Sequence, residues 1–272
     1  MKDKGKLYLV PTPIGNLMDI TLRALEILKS VAVIGAEDTR NSAFLLKHFE
    51  IETPLISYHK FNEKKRSSEF LQRLSNGEDI AIISDAGTPG ISDPASEIVR
   101  EAIENGIRIE VLPGATAFVP ALVGSGFDGD HFYFIGFLPE KRKDKTILLE
   151  RLGTCPDTLI FYTTPHDLQS FADNLLQSFG NRTICLAREL SKIYEEYIRT
   201  TLSEIVEKKI EIILKGEFVA IVAGKPENEI TDTELQKMIK YLAAEGLSNR
   251  EIVSIISKRE NISPNRLKKL IY

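Results

Sequence analysis

Short apolar runs that carry no polar alternation recur along the chain, and most of them stop at a cluster of Gly, Pro, Asp or Thr. Residues Leu7–Val10, Val31–Ala36 and Ile80–Ser84 fit this description in the first half, with a short extended piece expected at Pro54–Tyr58 and a further strand at Ile107–Leu112. Runs of four to six apolar β-formers without alternation are expected for strands buried on both faces. Between them lie segments with helical periodicity. Thr21 is placed to cap a helix with Leu22, Leu25 and Leu28 on one face. Asn41 is placed to cap one carrying Phe44, Leu45 and His48. Further helices are expected to end near Leu74 and to span Ser96–Glu104, the latter closing at Asn105-Gly106. Repeated strand, loop and helix predict a mostly parallel sheet with helices on its faces.

The second half repeats the pattern with different residues. Strands are expected at His131–Phe137, Thr158–Tyr162, Thr183–Ala187 and Glu217–Ala223. A basic cluster, Lys141 to Lys145, opens a helix to Leu152, and Pro165 suits the first turn of another. The most flexible mid-chain composition is VGSGFDG, between Val123 and Gly129, which places a domain boundary there. The expected divisions are 1–126, 127–228 and a helical extension over 229–272. In that extension Thr231-x-x-Glu234 and Ser248-x-x-Glu251 read as capping boxes, and Ser263-Pro264 as a helix start. Its three short helices resemble a helix-turn-helix in outline. Lys258, Arg259, Arg266, Lys268 and Lys269 make it basic, which suits either phosphate contacts or a solvated cap.

The central stretch is IAIISDAGTPGISDP, residues 80–94, where Asp85, Gly87, Pro89, Gly90, Asp93 and Pro94 follow a buried strand. Such a loop exposes backbone at the carboxyl end of a strand, where open α/β sheets hold small ligands. Pro11 to Asn16 and Pro113 to Ala117 form two more loops of the same kind. Four polar residues, Glu37 to Arg40, end a further strand, and these suit a cleft lining or a solvated helix entry equally.

With 272 residues, 43% apolar and 27% charged, the chain is long enough for one large domain or two modest ones. A net charge of −4 does not advertise a polyanion partner, although Lys60, Lys64, Lys65 and Arg66, and Lys141, Arg142, Lys143 and Lys145, form local basic groups. Two cysteines without CxxC spacing and four histidines without HxH or HExxH spacing give no thiolate or zinc motif, so no metal is expected. No signal peptide or membrane span is expected either, and a reducing cytoplasm fits. P-loop, GxGxxG and GxSxG motifs are absent from the sequence. Covalent catalysis therefore has no visible nucleophile, and group transfer from a bound cofactor is the natural remaining class.

Seven blocks extend that reading. TPIGNLMDIT at 12–21, AEDTR at 36–40, SDAGTPGISDP at 84–94, LPGATA at 112–117, GFLP at 136–139, FYTTPH at 161–166 and ARELSK at 187–192 occur in one order. Together they resemble the bacterial 16S ribosomal RNA cytidine 2′-O-methyltransferases, a branch of the tetrapyrrole methylase-like, class III S-adenosylmethionine-dependent enzymes. The resemblance implies an α/β fold of two domains with mostly parallel sheets and a homodimer. It also implies methyl transfer from S-adenosylmethionine to a ribose 2′-hydroxyl in the decoding region of 16S rRNA, within the 30S subunit. Carried over by position, Pro13, Asp85, Gly87, Thr88, Ile91, Thr116, Ala117, Tyr162 and Ala220 are expected to contact the cofactor. The same matched motifs make Asp38, Glu63 or Lys192 candidates to accept the hydroxyl proton, with Arg40 and Asn62 orienting RNA. Neutral carbonyls from Gly- and Pro-rich loops are expected to line the donor site, because strong negative charge favours a sulfonium more than the transition state in which its charge disperses. Where the family has Lys-x-His-Glu-Glu and Arg-Gly-Thr, this chain has Lys192 to Glu196 with Tyr194, and Arg199-Thr200-Thr201. A small acceptor such as a tetrapyrrole, or a non-catalytic ribosome-assembly module, are the competing readings.

Overall fold

Apolar runs punctuated by turn formers give, in the computed structural model, ten strands and eleven α-helices over the described residues, 3–93, 95–226, 232–260 and 262–271. The first half runs β1 (Lys6–Leu9), α1 (Leu22–Ser30), β2 (Val33–Ala36), α2 (Thr39–His48), β3 (Leu55–Ser57), α3 (Glu63–Ser75), β4 (Ile80–Ile83), α4 (Ser96–Glu104) and β5 (Arg108–Val111). Then follow α5 (Phe118–Ser125), β6 (Phe132–Phe137), α6 (Arg142–Leu152), β7 (Thr158–Thr163), α7 (Leu168–Phe179), β8 (Thr183–Arg188), β9 (Glu196–Thr201), α8 (Leu202–Val206) and β10 (Phe218–Val222). The chain divides into two compact units, Met1–Lys225 and Pro226–Tyr272. The second contains α9 (Asp232–Ala244), α10 (Asn249–Glu260) and α11 (Pro264–Ile271) around its own core of Leu235, Ile239, Ile252, Ile256 and Leu267.

The first sheet has the order β3-β2-β4-β1-β5 with every pair parallel. Period-two alternation explains why its inner strands β2, β4 and most of β1 read as unbroken apolar runs: each face has its own helical cover. Leu7, Leu9, Val33, Ile80 and Ile82 meet Phe70 and Leu74 of α3 and Ile98 and Ala102 of α4. Tyr8, Val10, Ile34, Ala36, Ala81 and Ile83 meet Ala24 and Leu28 of α1 and Leu46 of α2 on the other side.

The second sheet, β6-β7-β10-β8-β9, departs from the parallel expectation. Only β6 and β7 run parallel, whereas β7–β10, β10–β8 and β8–β9 are antiparallel. A parallel return needs a long crossover, usually a helix, and only residues 189–195 separate β8 from β9. The sequence EYIRTT in β9 lacks the apolar run that marks the central strands, which is why it escapes a hydrophobic reading as an edge strand. One face of this sheet packs on α6, α7 and α8. The other, with Ile160, Cys185, Ala187, Val219 and Ile221, packs on Ala121 and Leu122 of α5.

Local signals hold in part. Thr21 caps α1 by accepting from the Ala24 N–H, Ser248 and Glu251 form the reciprocal capping box, and Pro264 begins α11. Asp38, not Asn41, caps α2: its carboxylate accepts the Arg40 N–H at 2.8 Å, so the helix begins three residues earlier than expected. Leu22 and Phe44 are exposed, so α1 buries Ala24 and Leu28, and α2 buries Ser42, Leu45 and Leu46. Pro165 lies in a turn before α7, whose N-cap is Asp167. Thr231, the expected cap of α9, and Pro94 lie outside the described residues.

Phe70 is fully buried between α3 and the first sheet. Phe70→Ala is expected to lower stability by about 3–5 kcal/mol through lost transfer free energy and a residual cavity. Urea unfolding would register this as a lower midpoint at unchanged slope, and a loss under about 1 kcal/mol would mean the core is not close-packed there.

Candidate functional site

Because β4, β1 and β5 are parallel neighbours, the three Gly/Pro loops that follow them leave the same edge of the sheet. Hydrogen bonds then join the loops to one another. Thr12 and Gly87 exchange two backbone bonds, each 2.9 Å, and the Thr12 hydroxyl donates to the Ser84 carbonyl at 3.0 Å. Ser84 Oγ donates to the Gly87 carbonyl at 3.0 Å, and Thr88 Oγ1 to the Ala115 carbonyl at 3.0 Å. Gly87 adopts φ +81°, a region open to glycine at little cost. Gly114 lets the third loop approach the first, since a Cβ there would lie 2.6 Å from Pro11 Cβ.

These loops form one wall of a cavity of about 370 Å³, within the roughly 300–1,000 Å³ of small-molecule sites. The opposite wall comes from the second sheet: Phe137, Tyr162 to Pro165, Ala187, Leu190 and Gly216 to Val219. Tyr162 stands edge-on to Phe134 and Phe137, with ring centroids 5.1 and 5.5 Å apart. Burial pushes its phenol up, while the Thr116 side chain and Phe118 backbone oppose that shift. The structure therefore brings Asp85, Gly87, Thr88, Ile91, Thr116, Ala117 and Tyr162 together in one lining.

Other expected residues stand elsewhere. Pro13 is half-buried between Thr12 and Ile14, and it is Ile14 that lines the cavity. Ala220 is fully buried in the core beneath α6 and α7. Strand alternation gives the cavity-facing place in β10 to Val219. Asp38 is paired with Arg40 Nη2 at 2.7 Å, and the Arg40 side chain and N–H hold its carboxyl down at about 2. Arg40 is exposed.

Asn62 precedes α3, with Oδ1 accepting the His59 N–H at 2.9 Å and Nδ2 donating to the Ser57 carbonyl at 3.2 Å. Its side chain thus ties the 57–62 turn together. Glu63 is the first residue of α3 and does not reach the lining. Lys192 Nζ bridges Glu189 and Glu217 at 2.8 Å each, so it touches the cavity only through Glu217. The basic groups at Lys60, Lys64, Lys65 and at Lys141 to Lys143 are solvent-exposed, and Arg66 pairs with Glu69 at 2.6 Å.

Of the four carboxylates that line this cavity only Asp85 is among the residues expected to contact a ligand, although Glu37 belongs to the polar run that suits a cleft lining. Besides Asp85, the lining includes Glu37, Asp93 and Glu217, and among the described residues it includes no Lys or Arg. The expectation of a neutral lining is corrected accordingly. Asp85 accepts the Asp38 N–H at 3.0 Å and Asn41 Nδ2 at 3.3 Å, and Asp93 accepts the Gly90 N–H. Burial, then Asp85 and Asp93, push the Glu37 carboxyl up, and burial does the same for Asp93. Glu37 and Asp93 belong to the AEDTR and SDAGTPGISDP blocks. A period-two reading past the end of β2 would have set Glu37 and Asp38 on opposite sides.

A group carrying positive charge, an apolar ring and a polar chain suits such a cavity. The family model described as Tetrapyrrole (Corrin/Porphyrin) Methylases matches residues 6–206. A protein of Halalkalibacterium halodurans named ribosomal RNA small subunit methyltransferase I is 48% identical over 225 residues, covering 83% of this chain and 78% of that protein. One of the same name from Bacillus subtilis is 40% identical over 267 residues, covering 96% and 91%. In fold, the chain is similar to the crystal structure of uroporphyrin-III C-methyl transferase from Thermus thermophilus complexed with S-adenyl homocysteine. That likeness has a TM-score of 0.56 at 20% identity, over 80% of this chain and 97% of that one. A match over most of the first unit, with two relatives at 40% identity or more, establishes that this chain belongs to the tetrapyrrole (corrin/porphyrin) methylase family.

Proposed function

We propose that this protein transfers a methyl group from S-adenosylmethionine to the ribose 2′-hydroxyl of a cytidine in the decoding region of 16S rRNA. On this reading it acts in the cytoplasm, on the 30S subunit, as a homodimer whose sheets belong to domains 1–126 and 127–228. The observation that carries the reading is the loop-walled cavity whose lining holds four carboxylates and no cation. Its charge complements a ligand bearing a sulfonium and an ammonium. The relatives named as small-subunit rRNA methyltransferases favour RNA as the acceptor.

When bound, S-adenosylmethionine supplies a methyl group activated by an adjacent positive sulfur. The chain's own residues have the remaining tasks. Gly87, Thr88, Thr116 and Ala117 present backbone and small side chains, so that a ligand can approach closely. Phe137, Tyr162, Leu190 and Val219 offer apolar surface for a planar base. Asp85 and Asp93 offer acceptors to ammonium or ribose hydroxyls. Exposed Lys60, Lys64, Lys65 and Lys141 to Lys143 are the phosphate contacts, outside the acidic interior that would repel RNA.

Labelled methyl transfer to isolated 30S subunits, followed by nucleoside analysis of the 16S rRNA, is expected to yield 2′-O-methylcytidine. Label on a porphyrinoid instead, or on neither acceptor, would overturn the reading. RNA affinity is expected to fall with salt, with a log–log slope of roughly −0.7 for each single-strand phosphate engaged. A flat response would remove the exposed lysines from the interface. Gly87→Ala places a Cβ at a left-handed position, at a cost of roughly 1–2 kcal/mol. Calorimetric titration with S-adenosylmethionine is expected to show binding weakened about tenfold, and unchanged affinity would separate this loop from the cofactor.

A further inference from the structure

Of the four carboxylates in the cavity, three are committed. Asp85 takes the Asp38 N–H and the Asn41 amide, Asp93 takes the Gly90 N–H, and Glu217 takes the Lys192 ammonium. Glu37 lines the same cavity, and among the described residues its side chain has no hydrogen-bond or ion-pair partner. It sits one residue beyond β2, at the carboxyl edge from which the ligand loops also leave. Building on the methyl-transfer reading above, we propose that Glu37 is the general base that accepts the proton of the acceptor hydroxyl.

The electrostatics around Glu37 suit that task. Asp38 on its own segment, and Asp85 and Asp93 on the loop after β4, surround it with negative charge. His59, on the loop after β3, opposes them. Asn62 Nδ2, whose orientation is set by the Ser57 carbonyl, lies 3.3 Å from His59 Nε2. His59 Nδ1 is buried without a hydrogen-bond partner among the described residues. Burial and the like charges raise the proton affinity of Glu37, so that it competes for a proton better than an exposed carboxylate does. Asp38 is the opposite case, since Arg40 holds it ionised down to about pH 2 and leaves it a poor base.

In the step assigned here the hydroxyl oxygen's lone pair forms the new C–O bond. The electron pair of the broken S–C bond stays on sulfur, which becomes a neutral thioether. The O–H proton passes to a Glu37 carboxylate oxygen, and solvent takes it after product leaves. Net charge is conserved: one positive sulfur is lost and one carboxylate is neutralised.

Single-turnover methyl transfer to 30S subunits by wild type, Glu37→Gln and Glu37→Asp, each over a range of pH and each paired with calorimetric binding of S-adenosylhomocysteine, tests the assignment. Because Glu37 must be ionised to accept a proton, wild-type rate is expected to fall as pH drops through its raised value. Glu37→Gln is expected to lose roughly 10²–10⁴-fold in rate, with the acid limb abolished and the affinity for S-adenosylhomocysteine, which carries no sulfonium charge, within about threefold of wild type. Glu37→Asp is expected to keep the limb at reduced rate, and formate is expected to restore turnover to Glu37→Ala. A Glu37→Gln enzyme that turns over within about threefold of wild type, or that loses activity only because it no longer binds the ligand, overturns the assignment. If Gln fails to fold, the formate response of Glu37→Ala decides. A wild-type protein inert toward 30S subunits would instead overturn the rRNA reading itself, which keeps the two failures distinct.

Discussion

The two-way backbone bridge between Thr12 and Gly87 is the constraint from which the site follows. A parallel sheet delivers its strand ends to one edge but does not say how the loops there are held, and exposed loops are ordinarily mobile. Here the loop after β1 is bonded to the loop after β4, and Thr88 bonds that loop to Ala115 in the loop after β5. Three segments distant in sequence thus behave as one surface. Thr12 and Ser84 are nearly inaccessible to solvent, and their hydroxyls donate to the Ser84 and Gly87 carbonyls within this wall, so neither hydroxyl is buried unpaired. Rigidity at this wall keeps the ordering entropy of ligand binding small.

The second wall depends on an exchange between the two halves of the first unit. Helix α5 follows β5 in sequence, yet it covers the inner face of the second sheet with Ala121 and Leu122. The LPGATA loop leads into that helix, so Thr116 and Ala117 are anchored at one end to the first sheet and at the other to the second. Tyr162, whose proton affinity responds to Thr116 and to the Phe118 backbone, closes the cavity from the far side.

What the sequence made legible follows from how local each signal was. Buried strands of the first sheet were readable because both faces are apolar, and Thr21, Ser248 and Pro264 were readable because capping is decided within one turn. The antiparallel half of the second sheet was not. Strand β9 has a polar sequence, and its direction is set by the length of the 189–195 connection. Within the site, six loop residues of the lining, and Tyr162 of β7, came from matched motifs. Pro13 and Ala220, carried over in the same way, do not line it, because each stands one residue from the position that faces inward. A motif identifies a segment, whereas facing is fixed by strand phase and by partners distant in sequence.

The same distinction separates Glu37 from Asp38. Both end the same strand in the block AEDTR, and both are carboxylates within reach of a sheet edge. Asp38 accepts the Arg40 N–H and its guanidinium, which makes it a helix cap with a low proton affinity. That cap also fixes the Asp38 backbone, whose N–H donates to Asp85 at 3.0 Å and draws that carboxylate toward Glu37. Asp85 in turn is one of the charges that raise the proton affinity of Glu37. The helix cap and the proposed base are thus parts of one arrangement: Asp38 uses Arg40 to remain ionised, and its N–H holds Asp85, one of the charges that make Glu37 readier to take a proton.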